Sequence, residues 1–246
     1  MTKELDGHLA IVTGGARGIG RGIAARLAAE GARVVIWDMQ PDHFDADAAG
    51  FTPAAVMRVD VADPDNIAAA AGEVSETFGT PEILVNNAGI NGPVQPVAEY
   101  EYETWSRVLR INLDSVFLVT RAFVPAMVAK GYGRIITVAS IAGKEGVPGI
   151  AAYASAKAGA IGFTKSLAKE LVTTGVTVNA VAPVMVETEL LSQMTPEHIA
   201  ASKAKIPMQR LLSIDELAHV VRFAASPACS FTTGFVFDAS GGRATY

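Results

Sequence analysis

The sequence predicts an α/β fold: a single doubly wound domain with a central parallel sheet of about seven strands and helices on both faces. Three observations carry that expectation. Short β-branched runs alternate along the chain with longer amphipathic ones. The strand candidates are apolar on both faces, as strands must be when helices cover both sides of a parallel sheet. At 246 residues the chain can bury most of its unfolded surface without a disulfide or metal staple.

Leu9 to Thr13 is the first strand and Ile19 to Glu30 the first helix. Val34 to Trp37 and Ala55 to Val59 are the next two strands. Pro64 opens a helix that reaches about Phe78, with Asp63 as its N-cap. Ile83 to Val85 is a strand, Ile111 to Ala129 a long helix and Arg134 to Val138 a strand. Ala152 to Val172 is a helix and Val176 to Val181 a strand. Ile214 to Ala225 is a helix capped by Ser213, and Gly234 to Phe237 is the last strand. No repeat, low-complexity tract or linker interrupts this order, so residues 1–246 read as one domain. Met185 to Met208, with Pro196 and Pro207, breaks the rhythm and reads as a substrate lid at about 185–208.

Half the residues are apolar and the formal net charge is −5, with no run of Lys or Arg beyond two residues. That balance argues against nucleic acid and against an anionic membrane surface. The single cysteine, Cys229, excludes an internal disulfide and a cysteine metal cluster; no metal site is expected, and a reducing, cytoplasmic setting fits. The opening residues carry charge of both signs without an apolar core, so they do not read as a signal peptide. No stretch approaches the roughly 20 uninterrupted apolar residues of a transmembrane helix.

Thr13-Gly14-Gly15-Ala16-Arg17-Gly18-Ile19-Gly20 follows the first strand and opens the first helix. Glycines permit a tight turn and a close backbone approach to a pyrophosphate, while the helix N-terminus offers unpaired N–H groups and partial positive charge. Gly14, Arg17, Gly18, Ile19 and Gly20 are therefore cofactor-binding candidates. Asp38 ends the second strand, where a carboxylate accepts hydrogen bonds from both adenosine-ribose hydroxyls. It repels a 2′-phosphate by about 4 kcal/mol per unit charge at ~4 Å and an effective dielectric near 20. Arg17 is the dissenting cation, and Met39 leaves the position after Asp38 without a second one. The balance favours NAD over NADP.

Tyr153-Ala154-Ser155-Ala156-Lys157 lies near the start of a helix, and the i, i+4 spacing stacks Tyr153 and Lys157 on one face. An ammonium near a phenol favours phenolate, which suits removal of an alcohol proton. Ser140 ends the strand before it, where its hydroxyl can orient a substrate oxygen.

Thr13-Gly14-x3-Gly18-x-Gly20, Asn86-Asn87-Ala88-Gly89, Asn112, Ser140 and Tyr153-x3-Lys157 together resemble the short-chain dehydrogenase/reductase family over nearly the whole chain. The resemblance implies a Rossmann-type fold and a set of roles. Tyr153 is the general acid/base, Lys157 tunes it and binds the nicotinamide ribose, and Ser140 holds the substrate oxygen. Asn112 bends its helix around a water that relays protons from Lys157. Asp60 and Val61 lie against adenine, and Asn87, Ala88 and Gly89 pass under the adenosine ribose. Pro183, Val186 and Thr188 belong to a nicotinamide-side loop. This chain departs from the family by carrying Val184 after that proline, where glycine is usual. The valine should narrow the pocket there and restrict the turn. The resemblance also implies a homotetramer, with the helices near Leu113 to Val128 and Ala154 to Leu171 at the contacts.

The expected activity is hydride transfer between NAD(H) and a secondary alcohol or ketone, on a small sugar, sugar acid or polyol. A 3-oxoacyl-thioester reductase using NADPH is the alternative, with Arg107, Arg110, Arg121, Lys130 and Arg134 as a basic docking face for a carrier protein. A nucleotide-sensing scaffold without chemistry ranks below both, because the catalytic set is complete. Lys144 either holds a substrate carboxylate or is a solvated loop lysine partnered by Glu145. Arg243, in the tail Gly241 to Tyr246, either reaches a neighbouring subunit's site to meet an acidic substrate or lies in solvent.

Overall fold

The computed structural model describes residues 3–188 and 195–244. In chain order the elements are β1 (Leu9–Thr13), α1 (Gly18–Ala29), β2 (Arg33–Asp38), α2 (Ala46–Ala49), β3 (Ala55–Arg58), α3 (Pro64–Thr77), β4 (Ile83–Asn86) and α4 (Tyr102–Leu109). They continue with α5 (Ser115–Lys130), β5 (Gly133–Val138), α6 (Ala142–Glu145), α7 (Ala151–Glu170), β6 (Val176–Pro183), α8 (Pro196–Ala204), α9 (Ile214–Ala225) and β7 (Val236–Ala239). Among the described residues the strands form one seven-stranded sheet in the order β3-β2-β1-β4-β5-β6-β7. Every pairing is parallel.

Strand alternation divides the core in two. Val12, Val34, Ile36 and Ile136 face α1 and α9, packing with Ile23, Leu27, Leu217 and Val221. Ile11, Val35, Leu84, Ile135 and Val178 face the other way, against Ile67 and Val74 of α3, Phe123 and Met127 of α5, and Leu167 of α7. All five residues of β1 and all eight of β6 are buried, so the apolar runs in the sequence are strands covered on both faces.

Two elements differ from the sequence reading. The helix expected from Ile111 begins earlier: α4, a π-helical segment Arg110–Asp114 and α5 run on as one helix over Tyr102–Lys130. By length and composition this helix could cross a membrane; in the fold, Val116, Val119, Phe123 and Met127 are buried within it. α4 itself is eight residues long and fully buries only Val108, so it gives a short apolar stripe. The segment expected as a lid contains α8, and both its ends are anchored. Val186 bridges Leu212, and Ile206 is buried with Val184, Leu211 and Ala244. The part of that lid at 189–194 lies outside the described residues.

α9 begins with a reciprocal cap. The Ser213 hydroxyl accepts from the Glu216 backbone N–H at 3.2 Å, and the Glu216 carboxylate accepts from the Ser213 N–H at 3.0 Å. Removing the hydroxyl in Ser213→Ala should cost about 1 kcal/mol and lower the melting temperature by roughly 2–4 °C. An unchanged Tm in a calorimetric scan would show that the cap contributes nothing to the fold.

Candidate active site

β1 and β4 are neighbours in the sheet, but the chain leaves β1 toward α1 on one face and β4 toward α4 and α5 on the other. Helices diverging from adjacent strand ends leave a crevice at their carboxyl edge. A cleft of about 1080 Å³ opens there. All the residues nominated as catalytic or cofactor-binding line it: the glycine turn and Arg17, Asp38, the pair Asp60 and Val61, Asn87 to Gly89, Asn112, Ser140, Tyr153, Lys157, and Pro183, Val186 and Thr188.

The turn after β1 is held from below. The Asn87 side-chain amide donates to the carbonyls of Thr13 at 2.9 Å and Gly14 at 3.0 Å. The Thr13 hydroxyl accepts from the N–H groups of Asn87 and Ala88, both at 3.0 Å. A Cβ on Gly20 would stand 2.1 Å from the Gly14 carbonyl oxygen, so only glycine lets α1 start this close to the turn. Arg17, extended at φ −150° and ψ 172°, is the N-cap residue of α1, and its side chain caps nothing. An uncapped twelve-residue helix opening into the cleft fits the pyrophosphate of a dinucleotide.

Asp38 joins this turn to the end of β2. Its carboxylate accepts from the Ala16 N–H at 3.0 Å and from the Gln40 N–H at 2.9 Å. Asp60 accepts from the Ala62 N–H at 2.8 Å, which fixes its side chain at the end of β3.

The second half of the cleft carries the reactive groups. Lys157 is 5% exposed, and its Nζ donates to the Val138 carbonyl at 2.8 Å. The same Nζ lies 5.7 Å from the centre of the Tyr153 ring. Ser140 stands two residues beyond the end of β5, its hydroxyl accepts from the Ala142 N–H at 3.1 Å, and it favours ionisation of the Tyr153 phenol. Asn112 sits at the centre of the π-helical segment, fully buried. Its amide donates to the carbonyls of Val108 at 2.9 Å and Ile90 at 2.8 Å, and its oxygen accepts from the Ile90 N–H at 3.2 Å. The side chain thus takes the carbonyl of Val108, four residues earlier on the same helix, where the π-helical segment interrupts the regular ladder. A Cβ on Gly89 would lie 2.5 Å from the Asn112 oxygen and 3.5 Å from Lys157 Nζ, so both groups converge on one bare backbone position.

Burial governs the charges. It raises the Tyr153 pKa above its ordinary value, with Ser140 pulling the other way, and lowers that of Lys157 from 10.5 to about 8. The sequence reading expects the Lys157 ammonium to lower the tyrosine pKa; burial instead raises it, and the Ser140 hydrogen bond is what opposes the rise.

Several nominated cations take other partners. Lys144 pairs with Asp238 at 2.9 Å rather than with Glu145, and its side chain is buried. Glu145 instead pairs with Arg243 of the same chain at 2.7 Å. Neither cation lines the cleft. Arg134 is buried and bonded to the Ser226, Gly133 and Gly175 carbonyls, so it cannot contribute to a docking face as expected, while Lys130 pairs with Glu82 and stays partly exposed. Val184 is buried with Ile141, Ile206, Leu211 and Ala244, which anchors the turn after Pro183 on a small apolar cluster. Sequence reasoning missed Trp37, Ile90, Asn91 and Ile111 in the cleft wall, and Arg107 and Arg110 line it too. Adjacency to Asp38, Gly89 and Asn112 was the available signal for most of them.

A family model described as enoyl-(acyl carrier protein) reductase matches residues 14–244. The chain is 46% identical over 240 residues to 2-dehydro-3-deoxy-L-rhamnonate dehydrogenase (NAD(+)) of Sphingomonas sp. (strain SKA58), covering 98% of this chain and 96% of that one. It is 40% identical over 241 residues to the 3-oxoacyl-acyl-carrier-protein reductase of Escherichia coli (strain K12), covering 97% and 98%. A crystal structure of a provisionally named gluconate dehydrogenase from Agrobacterium tumefaciens superposes with a TM-score of 0.92 at 31% identity, covering 99% and 98%.

The buried lysine has a pH signature. Below about pH 8 both folded and unfolded chains carry the Lys157 charge, and the folded one holds it away from water. Between about pH 8 and the ordinary 10.5 the unfolded chain keeps the proton that the folded chain has lost, so stability rises with pH. The full rise is on the order of 3 kcal/mol. Urea unfolding of ligand-free wild type and Lys157→Met should diverge by that amount across this range, the variant lacking the rise. Parallel pH profiles would mean that the lysine is buried without cost.

Proposed function

The chain belongs to the short-chain dehydrogenase/reductase family, and on that premise we propose how its site works and on what. The protein is a nicotinamide-dependent oxidoreductase that interconverts a secondary alcohol and a ketone. The single observation behind the assignment of roles is the convergence of Ser140, Tyr153 and Lys157 on one wall of the cleft. Tyr153 takes the alcohol proton in oxidation and returns it in reduction. Ser140 holds the substrate oxygen and stabilises charge developing on it. Lys157 binds the nicotinamide ribose and supports the phenolate, and Asn112 relays protons from Lys157 through a water. The bound cofactor supplies the hydride acceptor.

NAD is the preferred cofactor because Asp38, oriented by two backbone N–H groups, presents acceptor oxygens to ribose hydroxyls and opposes a 2′-phosphate. Asp60 and Val61 hold adenine, Asn87 to Gly89 the adenosine ribose, and Pro183, Val186 and Thr188 the carboxamide side, with the segment 185–208 as lid over the substrate. The substrate is a small hydroxylated molecule, and a sugar acid leads because the Sphingomonas relative is named for one. The alternative is 3-oxoacyl-thioester reduction, supported by the Escherichia coli relative. It is weakened by the burial of Arg134, which withdraws that residue from the docking face.

Assembly as a homotetramer fits two apolar surfaces. Phe117 of α5 is exposed beside Phe163 of α7, where Ala158 and Gly162 leave a smooth flank. Phe223 of α9 and Phe235 beside β7 form another. A tetramer with dihedral symmetry needs two distinct self-complementary faces. The buried Cys229 accords with a reducing, cytoplasmic location.

Tyr153→Phe should lower kcat by roughly 10²–10⁴-fold while leaving NADH affinity nearly unchanged, because only the transferable proton is lost. Substantial turnover by the variant would assign the proton transfer to another group. Steady-state kinetics over sugar acids, sugars, polyols and acetoacetyl thioester, with both cofactors, separates the substrate readings. A higher kcat/KM for the thioester with NADPH would overturn the sugar-acid assignment. Light scattering at micromolar concentration should give four chains per particle; a monomer refutes the assembly.

A further inference from the structure

The position after Asp38 is Met39, yet a cation reaches it from the neighbouring strand. Asp38 and Arg58 are register partners at the ends of β2 and β3, on strands ~4.8 Å apart. Both fall on the alternation that faces α1 and the glycine turn, since Val34, Ile36 and Val56 on that alternation pack into the core beneath α1. The Arg58 guanidinium donates to the Met39 carbonyl at 2.7 Å and to the Asp42 carboxylate at 3.0 Å. The pair is open to water, with side chains 60% and 87% exposed, so it holds Arg58 loosely. Arg17 stands exposed in the turn that Asp38 bonds, and among the described residues its guanidinium pairs with no carboxylate.

We propose that Asp42 and Arg58 form a cofactor-specificity latch: Asp42 neutralises Arg58 and keeps it from meeting a phosphate at the adenosine 2′ position. This inference rests on the assignment of the Asp38 end of the cleft to the adenosine ribose. A 2′-phosphate carries up to two negative charges and requires guanidinium forks that match its oxygens. With Asp42 ionised, the ribose end presents two carboxylates against Arg58 and Arg17, and the hydroxyl form is favoured. With the Asp42 charge removed, Arg58 keeps its anchor on the Met39 carbonyl and its second nitrogen becomes free for the phosphate. A cation supplied from β3 thus replaces the one that the sequence lacks after β2.

The test is titration calorimetry on the ligand-free protein with two probes, adenosine 5′-diphosphate and adenosine 2′,5′-bisphosphate, together with the ratio of kcat/KM for NADP and NAD. Asp42→Asn should raise affinity for the bisphosphate about fivefold to tenfold and shift the kinetic ratio alike, with the diphosphate nearly unchanged. Adding Arg58→Ala to Asp42→Asn should remove the gain, and Arg58→Lys in its place should retain part of it. Asp47→Asn, which deletes a nearby exposed carboxylate, should give no such gain. The latch is refuted if Asp42→Asn leaves both ratios unaltered, if the gain survives Arg58→Ala, or if Asp47→Asn matches it. A wild-type preference for the 2′-phosphate would overturn the NAD assignment alone, because the latch is read from the changes between variants.

Discussion

The contact between the Gly14 and Gly20 backbones, sealed by the Asn87 side chain, fixes where everything else in the site stands. It brings the first turn of α1 against the end of β1 with no room for a methyl group. Two carbonyls of the turn would otherwise face a crowded interior without donors, and one amide from β4's end satisfies both. That amide comes from the strand on the far side of the switch point, so the glycine turn and the loop after β4 cannot move apart. Asp38 adds the third tie, from β2 to the Ala16 N–H. The cofactor end of the cleft is therefore a rigid frame of backbone groups. Rigidity there leaves the α1 N–H groups aimed into the cleft, ready to meet negative charge without reorganisation.

The other end depends on burial rather than on close packing. The same desolvation that lowers the Lys157 pKa to about 8 raises that of Tyr153. Left alone, the phenol keeps its proton at neutral pH and can only donate. Ser140, which favours the ionised phenol, and a charged Lys157 are the groups that can reverse this. The Val138 carbonyl helps hold the lysine in its charged form, since it accepts a hydrogen bond from Nζ. The protonation state of the phenol is thus set by small changes in local charge, which is the property that the acid–base role proposed for it requires.

Strands and motifs were legible in the sequence because each couples a local demand to a short spacing. A strand buried on both faces shows itself as an unbroken apolar run, and the glycine turn, Asn112, Ser140 and the Tyr153–Lys157 pair arrive in the order the sheet needs them. What escaped was set by partners far away in the chain. α4 is only eight residues long and buries one of them fully, packing otherwise through half-exposed side chains, so it offers too short an apolar stripe to stand apart from the loop before it. Glu145 looked like the natural partner for Lys144, but neighbours one position apart on a helix point in different directions. The lysine finds Asp238 and the glutamate finds Arg243, more than ninety positions on. Arg58 was silent for the same reason, because its relation to Asp38 exists only in the register of two strands.

Those two ion pairs bear on substrate recognition. They tie α6, which directly follows Ser140, to the strand and tail that close the chain, while Ala244 is buried against Ile141. Arg243 and Ala244 therefore brace the segment that follows Ser140 in their own subunit. Satisfying Lys144 with Asp238 removes it as a receptor for a substrate carboxylate, since taking a second anion there would mean breaking a largely buried pair. Among the described residues, the arginines that do line the cleft are Arg17, Arg107 and Arg110. Arg107 and Arg110 stand on the helical stretch that leads to Asn112, one on either side of the junction between α4 and the π-helical segment. The Asn112 amide bonds the Val108 carbonyl between them and, from the same side chain, both backbone groups of Ile90 in the loop after β4. One buried asparagine therefore ties the placement of positive charge in the cleft to the loop that forms its floor.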